Sequence, residues 1–180
     1  MRRTALLLPL LLLTACGFHL RGLGETTPFA FSSLNVVAPG GGLGDVLNRQ
    51  LSLRKDLTLK PKAADAEAVL TVESEVIDKQ ILTVNKSGRV TEYQLLYRAK
   101  FKLAQSGHDW IPSTQMTLRR DYSFDENNVL GKEAEEQILI RDMRSDAAQQ
   151  IIRRLAALKP ANAPAPYSEV PAAASTPAGK

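Results

Sequence analysis

Thiol chemistry is almost absent from this chain. Cys16 is the only cysteine among 180 residues, so no intramolecular disulfide can form and no cluster of thiolates can hold zinc. Only two histidines occur, His19 and His108, and neither stands at metal-ligand spacing from another donor. No Gly-x-Ser-x-Gly elbow is present, and no glycine loop ends in the Lys-Ser/Thr of a nucleotide site. Acidic residues are plentiful, yet none form a convincing acid–base pair. These absences argue against an enzyme and predict no catalytic residue, no metal and no dissociable cofactor. The formal charge of +4, half of it from Arg2 and Arg3, lacks the clustered basic face of a nucleic-acid binder. Beyond the first fifteen residues no apolar run approaches the roughly 20 residues of a spanning helix.

Those first fifteen residues have a clear pattern. Arg2 and Arg3 precede a leucine-rich stretch from Thr4 to Thr14. It is too short to span a bilayer comfortably and fits the hydrophobic region of a signal peptide. Leu13-Thr14-Ala15-Cys16 is the pattern cut by bacterial lipoprotein signal peptidase. The expectation is a leader at 1–15, cleavage before Cys16 and acyl chains on that cysteine. A single acyl chain gives only marginal membrane binding, so an anchor with several chains is needed for stable attachment. Gly17 follows the cysteine where an aspartate does not, which in many Gram-negative bacteria favours sorting to the outer membrane.

The rest divides into a domain at 16–158 and a Pro/Ala-rich tail at 159–180, too poor in apolar residues to bury a core. Residues 17–33 read as an irregular lead. A short buried strand is predicted at 33–38 and a helix at about 43–54, with Leu43, Val46, Leu47, Gln50, Leu51 and Arg54 along one stripe. Strands follow at 68–84, 90–103 and 113–123. The second has the clearest period: Tyr93, Leu95, Tyr97, Ala99, Phe101 and Leu103 share one parity, and Glu92, Gln94, Arg98, Lys100 and Lys102 the other. Asn85-Lys86-Ser87-Gly88 supplies a hairpin turn, and residues around Ser106–Trp110 a second one. A long final helix carries Leu139, Met143, Ala147, Ile151, Leu155 and Leu158 on one stripe. Asn127 or Asn128 can cap it, and Pro160 stops it. Glu133, Glu135 and Glu136 near its start and Arg153, Arg154 and Lys159 near its end complement the helix dipole. The order β-α-β-β-β-α predicts an α+β two-layer sandwich, with two helices on one face of a four-stranded mixed sheet.

Few residues stand out chemically. Gly40-Gly41-Gly42-Leu43-Gly44, at a strand-to-helix junction, is a flexible turn or an anion site made of backbone N–H groups; the bland reading is favoured. Tyr93 and Tyr97 read as core, and the glutamates of the last helix as a solvated face. Trp110 fits packing or an interface equally. Lys86 at a hairpin tip and Lys132 at the start of the last helix are either solvated or placed to meet phosphates of an anionic lipid, which a tethered domain reaches easily.

Cys16-Gly17-Phe18-His19-Leu20-Arg21-Gly22, together with Thr91-Glu92-Tyr93-Gln94 and Gly131-Lys132-Glu133, resembles the LptE family over about residues 13–158. These are lipopolysaccharide-assembly lipoproteins of Gram-negative outer membranes. The resemblance implies a two-helix, four-stranded fold without enzymatic activity. It implies a plug inside the lumen of an LptD-like β-barrel, helping that barrel to assemble and binding lipopolysaccharide. Two basic family positions fall on Lys86 and Lys132. Well-known members carry arginine at the first, and lysine keeps the charge but lacks the planar fork that grips a phosphate at two points. Arg89, in the same loop, is positioned to compensate. The competing expectation is an envelope scaffolding lipoprotein with no lipopolysaccharide contact; a tethered hydrolase lacks any nucleophile–base pair.

Overall fold

The computed structural model describes residues 28–158. The leader, Cys16, His19 and the 159–180 tail, with Lys159 and Pro160, lie outside the described residues. Five strands and two helices are formed: β1 (Ser33–Val37), α1 (Leu43–Ser52), β2 (Thr58–Leu59), β3 (Ala68–Val84), β4 (Val90–Gln105), β5 (His108–Ser123) and α2 (Val129–Ala156). The sheet order is β2-β1-β3-β4-β5. β1 runs parallel to both β2 and β3, and β3, β4 and β5 form an antiparallel meander.

The α+β architecture and the mixed sheet agree with the sequence expectation, but the sheet has five strands rather than four. The extra strand pairs only Ser33 with Thr58 and Leu34 with Leu59. Two residues are too few to show alternation. What fixes this strand is backbone and side-chain hydrogen bonding. The Thr58 N–H donates to the Ser32 carbonyl (2.9 Å) and the Lys60 N–H to the Leu34 carbonyl (2.8 Å). The buried Asn35 amide donates to the Lys60 carbonyl at 2.7 Å, satisfying a polar group that the core could not otherwise hold.

The core lies between the sheet and the helices. Leu43, Leu47 and Leu51 of α1 and Ile140, Met143, Ala147, Ala148, Ile151 and Leu155 of α2 are buried. The stripe on α2 is therefore wider than a single i, i+4 row, with Ile140 and Ala148 inside and Leu139 only partly covered. On β4 the predicted parity holds: Leu95, Tyr97, Ala99, Phe101 and Leu103 are buried. Trp110 belongs to β5, not to a turn. The connection is only Ser106-Gly107, both at positive φ (51° and 80°), as a two-residue hairpin requires. Trp110 packs partly buried against the core. Pro112 interrupts no ladder that matters, because β5 is an edge strand and the register shifts beside it.

One irregularity decides the chemistry of the helix-facing side. The β3–β4 register shifts between Val72 and Ser74, so Glu73 is an extra residue in a bulge. Before it, Ala68, Leu70 and Val72 point into the core. After it the parity inverts, because cross-strand partners share a face. Glu75 then stands beside the buried Ala99, Ile77 beside Tyr97, and Lys79 beside Leu95. Two charged residues are thereby brought beneath the helices.

Candidate functional site

The β3–β4 hairpin is a built turn. Asn85 Oδ1 accepts the N–H groups of Ser87 (2.9 Å) and Arg89 (3.0 Å). The Asn85 N–H donates to the Arg89 carbonyl at 2.8 Å, and the Gly88 N–H to the Asn85 carbonyl at 3.0 Å. Gly88 sits at φ 78°, where glycine carries no steric penalty. Lys86 therefore projects from a fixed tip. It is exposed and has no carboxylate within ion-pair reach among the described residues.

The other two candidate cations lie at the same end of the sheet but are engaged differently. Arg89 Nη1 lies 3.1 Å from Glu126 Oε2, both side chains being largely exposed. This pair ties the hairpin to the short 3-10 turn at Glu126–Asn128 that leads into α2. The Phe124 N–H, donating to the Thr91 carbonyl at 2.8 Å, reinforces the link. Lys132 is mostly covered, with 17% of its side chain exposed. Its ammonium donates to Ser123 Oγ at 3.0 Å and to Glu135 Oε2 at 2.9 Å. Asn128 occupies the N-cap of α2 without a side-chain bond. Asp125 instead caps the preceding turn, accepting the Asn127 N–H at 2.9 Å.

Two polar clusters under the helices went unread in the sequence. In the first, Glu75 Oε2 accepts the Leu43 N–H at 2.8 Å and Oε1 accepts Arg144 Nε at 2.6 Å. At the glycine-rich junction one backbone N–H meets an anion, and that anion is the protein's own carboxylate. In the second, Lys79 Nζ and the Tyr122 hydroxyl both donate to Glu136 Oε2 at 2.6 Å. The same ammonium lies 4.3 Å from the centre of the Tyr93 ring. Burial opposes ionisation of Glu136, but the Lys79 and Tyr122 hydrogen bonds and the Lys79 charge outweigh it and hold the carboxyl below its usual range. Burial likewise opposes the charge on Lys79, and Glu136 and Tyr122 outweigh it and raise its pKa. Glu136 is thus a packing partner of the sheet and not part of a solvated face. The signal that could have found both clusters is the bulge at Glu73, which strand alternation alone hides.

His108 is exposed, with Nδ1 3.1 Å from the Ser106 carbonyl. Among the described residues no group of His, Cys, Asp and Glu could hold a metal ion, and no helix is long and apolar enough to cross a membrane.

The chain superposes on several solved bacterial lipoproteins. A lipoprotein B from Nitrosomonas europaea, solved by solution NMR, is 33% identical and superposes with a TM-score of 0.67, over 78% of this chain and 91% of that one. The rare lipoprotein B from Shewanella oneidensis is 26% identical at a TM-score of 0.62, over 69% and 94%. Among curated relatives, the LPS-assembly lipoprotein LptE of Yersinia enterocolitica is 31% identical over 151 residues, 82% of this chain and 72% of its own. The LptE of Photorhabdus laumondii is 29% identical over 152 residues, covering 82% and 81%. Residues 30–155 match the model of the LptE lipopolysaccharide-assembly family, and the chain belongs to that family.

Proposed function

We propose that this protein is an outer-membrane lipoprotein, anchored through acylated Cys16. It plugs and helps assemble an LptD-like β-barrel and binds lipopolysaccharide on the way to the outer leaflet. The observation that carries the lipid-binding part is Lys86, a cation without an ion-pair partner among the described residues, on a hydrogen-bonded hairpin tip with Arg89 and Lys132 at the same end. A phosphate has to displace nothing to meet Lys86. It competes with Glu126 for Arg89, an exposed pair that holds weakly, and with Glu135 for Lys132, whose side chain is mostly covered.

The plug reading is supported by the sheet face opposite the helices. There β4 presents Arg98, Lys100 and Lys102, and β5 presents Arg119 and Asp121 opposite Leu96 and Gln94. Arg98 pairs with Asp78 of β3, and the Gln94 amide donates to Asp121 at 2.8 Å. A charged, hydrogen-bonded face of this kind suits the polar interior of a large barrel. The lipid on Cys16 would hold the domain at the periplasmic side of the membrane.

Binding of labelled lipopolysaccharide to the wild type and to a K86E/K132E double variant tests the lipid part. The variant should bind several-fold more weakly, and equal binding would overturn it. K86R, which restores a planar fork, should bind at least as well as wild type. Pull-down of a large outer-membrane barrel by the tagged chain in mild detergent tests the partner. Its absence would favour an envelope scaffold. Depletion of the protein should also reduce lipopolysaccharide at the cell surface.

A further inference from the structure

From Gln80 to Val90 the chain reads QILTVNKSGRV, with two cations and no acidic residue. The last pair between β4 and β5 is Glu92 with Ser123, and Glu92 also pairs with Thr83. Only Val84, Val90 and the turn between them therefore extend past the third strand, while Ile81 pairs with Tyr93, itself paired with Tyr122. The apolar side chains near this end are nonetheless left open. Ile81 is 60% exposed, Leu82 47% and Val84 52%. Leu130, in the first turn of α2 at the same end of the sheet, is 82% exposed. Exposed apolar patches mark places where something else binds. Neither packing nor folding of the described body accounts for these residues.

We infer that the hairpin grips an acylated, phosphate-bearing lipid in two places: phosphate at Lys86 and Arg89, and acyl chain along Ile81, Leu82 and Val84. The occupant follows from the arrangement. The apolar residues lie two to five positions behind Lys86, roughly 7–17 Å along a strand at ~3.3 Å per residue. An amphiphile has the same order of charge, then hydrocarbon. The segment has no carboxylate to repel phosphate. A barrel wall is a poor alternative occupant, because a lumen is polar and would leave the apolar side chains unmatched. This inference rests on the proposed lipopolysaccharide binding and goes further by giving the acyl chains a seat.

Site-specific photo-crosslinking on the full-length chain in cells tests it. Benzoylphenylalanine is placed in turn at position 82, at position 89, and at position 53, where Leu53 is exposed beyond the end of α1. The expected result is a lipopolysaccharide adduct at 82 and at 89, several-fold above that at 53. Mass spectrometry of the position-82 adduct should locate the bond on an acyl chain. An adduct at 89 alone, an adduct at 82 on sugar, or an adduct at 82 on a protein overturns the acyl seat while leaving phosphate binding intact. No lipid adduct at either position overturns both. A second measurement does not depend on crosslinking. The I81T/L82T/V84T variant keeps β-branched or strand-compatible side chains. It should bind lipopolysaccharide about tenfold more weakly, yet bind deacylated lipopolysaccharide as wild type does. Equal loss for both ligands would refute the acyl seat.

Discussion

Glu75, on the central strand β3, accepts the backbone N–H of Leu43 at 2.8 Å and so caps helix α1 from outside that helix. The residue at the N-cap is Gly42, which has no side chain to do this. Burial without a cap would leave an unpaired donor at a positive helix end. Arg144 of α2, held by the other Glu75 oxygen at 2.6 Å, makes the same carboxylate a junction of both helices with the sheet. Glu75→Ala should cost about 2 kcal/mol, and Glu75→Gln, which can still accept, about half of that. Urea denaturation measures both. A Glu75→Ala variant within about 0.5 kcal/mol of wild type would show that the cap is not a stabilising contact.

The Lys79–Glu136–Tyr122 cluster gives stability an acid-side dependence. The Glu136 carboxyl is held below its ordinary value of 4.5 in the folded state. Its contribution is therefore complete above about pH 4.5 and is lost as pH falls through the lower folded value. Glu136→Gln removes the ionisation. The stability difference between wild type and this variant should be largest near neutrality and shrink as the solution is acidified. Glu73, lowered mainly by the Ser113 hydrogen bond, and Asp56, lowered mainly by the Arg54 hydrogen bond, also favour the folded state above their ordinary values. Both are present in the two proteins and cancel in the difference. Urea midpoints taken between about pH 3 and 7 read it out, and a difference constant across that range would contradict the assignment.

The two candidate lipid-binding lysines should separate in stability. Lys86 touches no carboxylate among the described residues, so Lys86→Glu is expected within about 0.5 kcal/mol of wild type. Lys132 holds Ser123 and Glu135. Lys132→Glu breaks both contacts and sets like charges three residues apart, for a loss of about 0.5–1 kcal/mol. Thermal or urea unfolding decides. If Lys86→Glu proved the more damaging, the hairpin tip would have contacts that its exposure denies.

Much of this architecture is legible in the residues because it depends on long periodic runs. The alternation from Tyr93 to Leu103 announces β4, and Asn85 with Gly88 announces its turn. The stripe from Met143 to Leu155 announces α2. What escapes is set by single positions. Thr58 and Leu59 form a strand because β1 offers an edge, and no period can show that. Glu75 and Lys79 face inward because Glu73 adds one residue, and the frame that reveals it is the partner strand. Glu136 reads as one of three surface glutamates until Lys79 is known to stand opposite. The candidate site follows the same division. Lys86 at a tip was visible, while the capture of Lys132 by Glu135 and Ser123 depends on how α2 leaves the sheet. Val84 reads as an ordinary strand residue: the stop of the third strand at Ser123 is legible, but the register that leaves Val84 beyond it is not.

Two glycines in helices should respond to alanine with opposite signs. Replacing an exposed helical glycine by alanine ordinarily gains up to about 1 kcal/mol. Gly131, in the first turn of α2, has only the Asn128 side chain in the way: a Cβ would come within 2.5 Å of its Oδ1. That side chain makes no capping bond and can swing aside, so Gly131→Ala should stabilise by a few tenths to about 1 kcal/mol. Gly44, near the start of α1, is buried, and a Cβ there would sit 2.5 Å from the Ala38 Cβ. Ala38 is held by its own backbone between β1 and the glycine turn, so the helix would have to move. That movement would pull Leu43 away from Glu75 and unseat Leu47 from the core. Gly44→Ala should therefore destabilise by about 1–3 kcal/mol, the range for overpacking, despite its better helix propensity. Unfolding curves of the two single variants, compared with wild type, give the two signs directly. A stabilised Gly44→Ala would mean that α1 is not seated on Ala38 as closely as the structure places it.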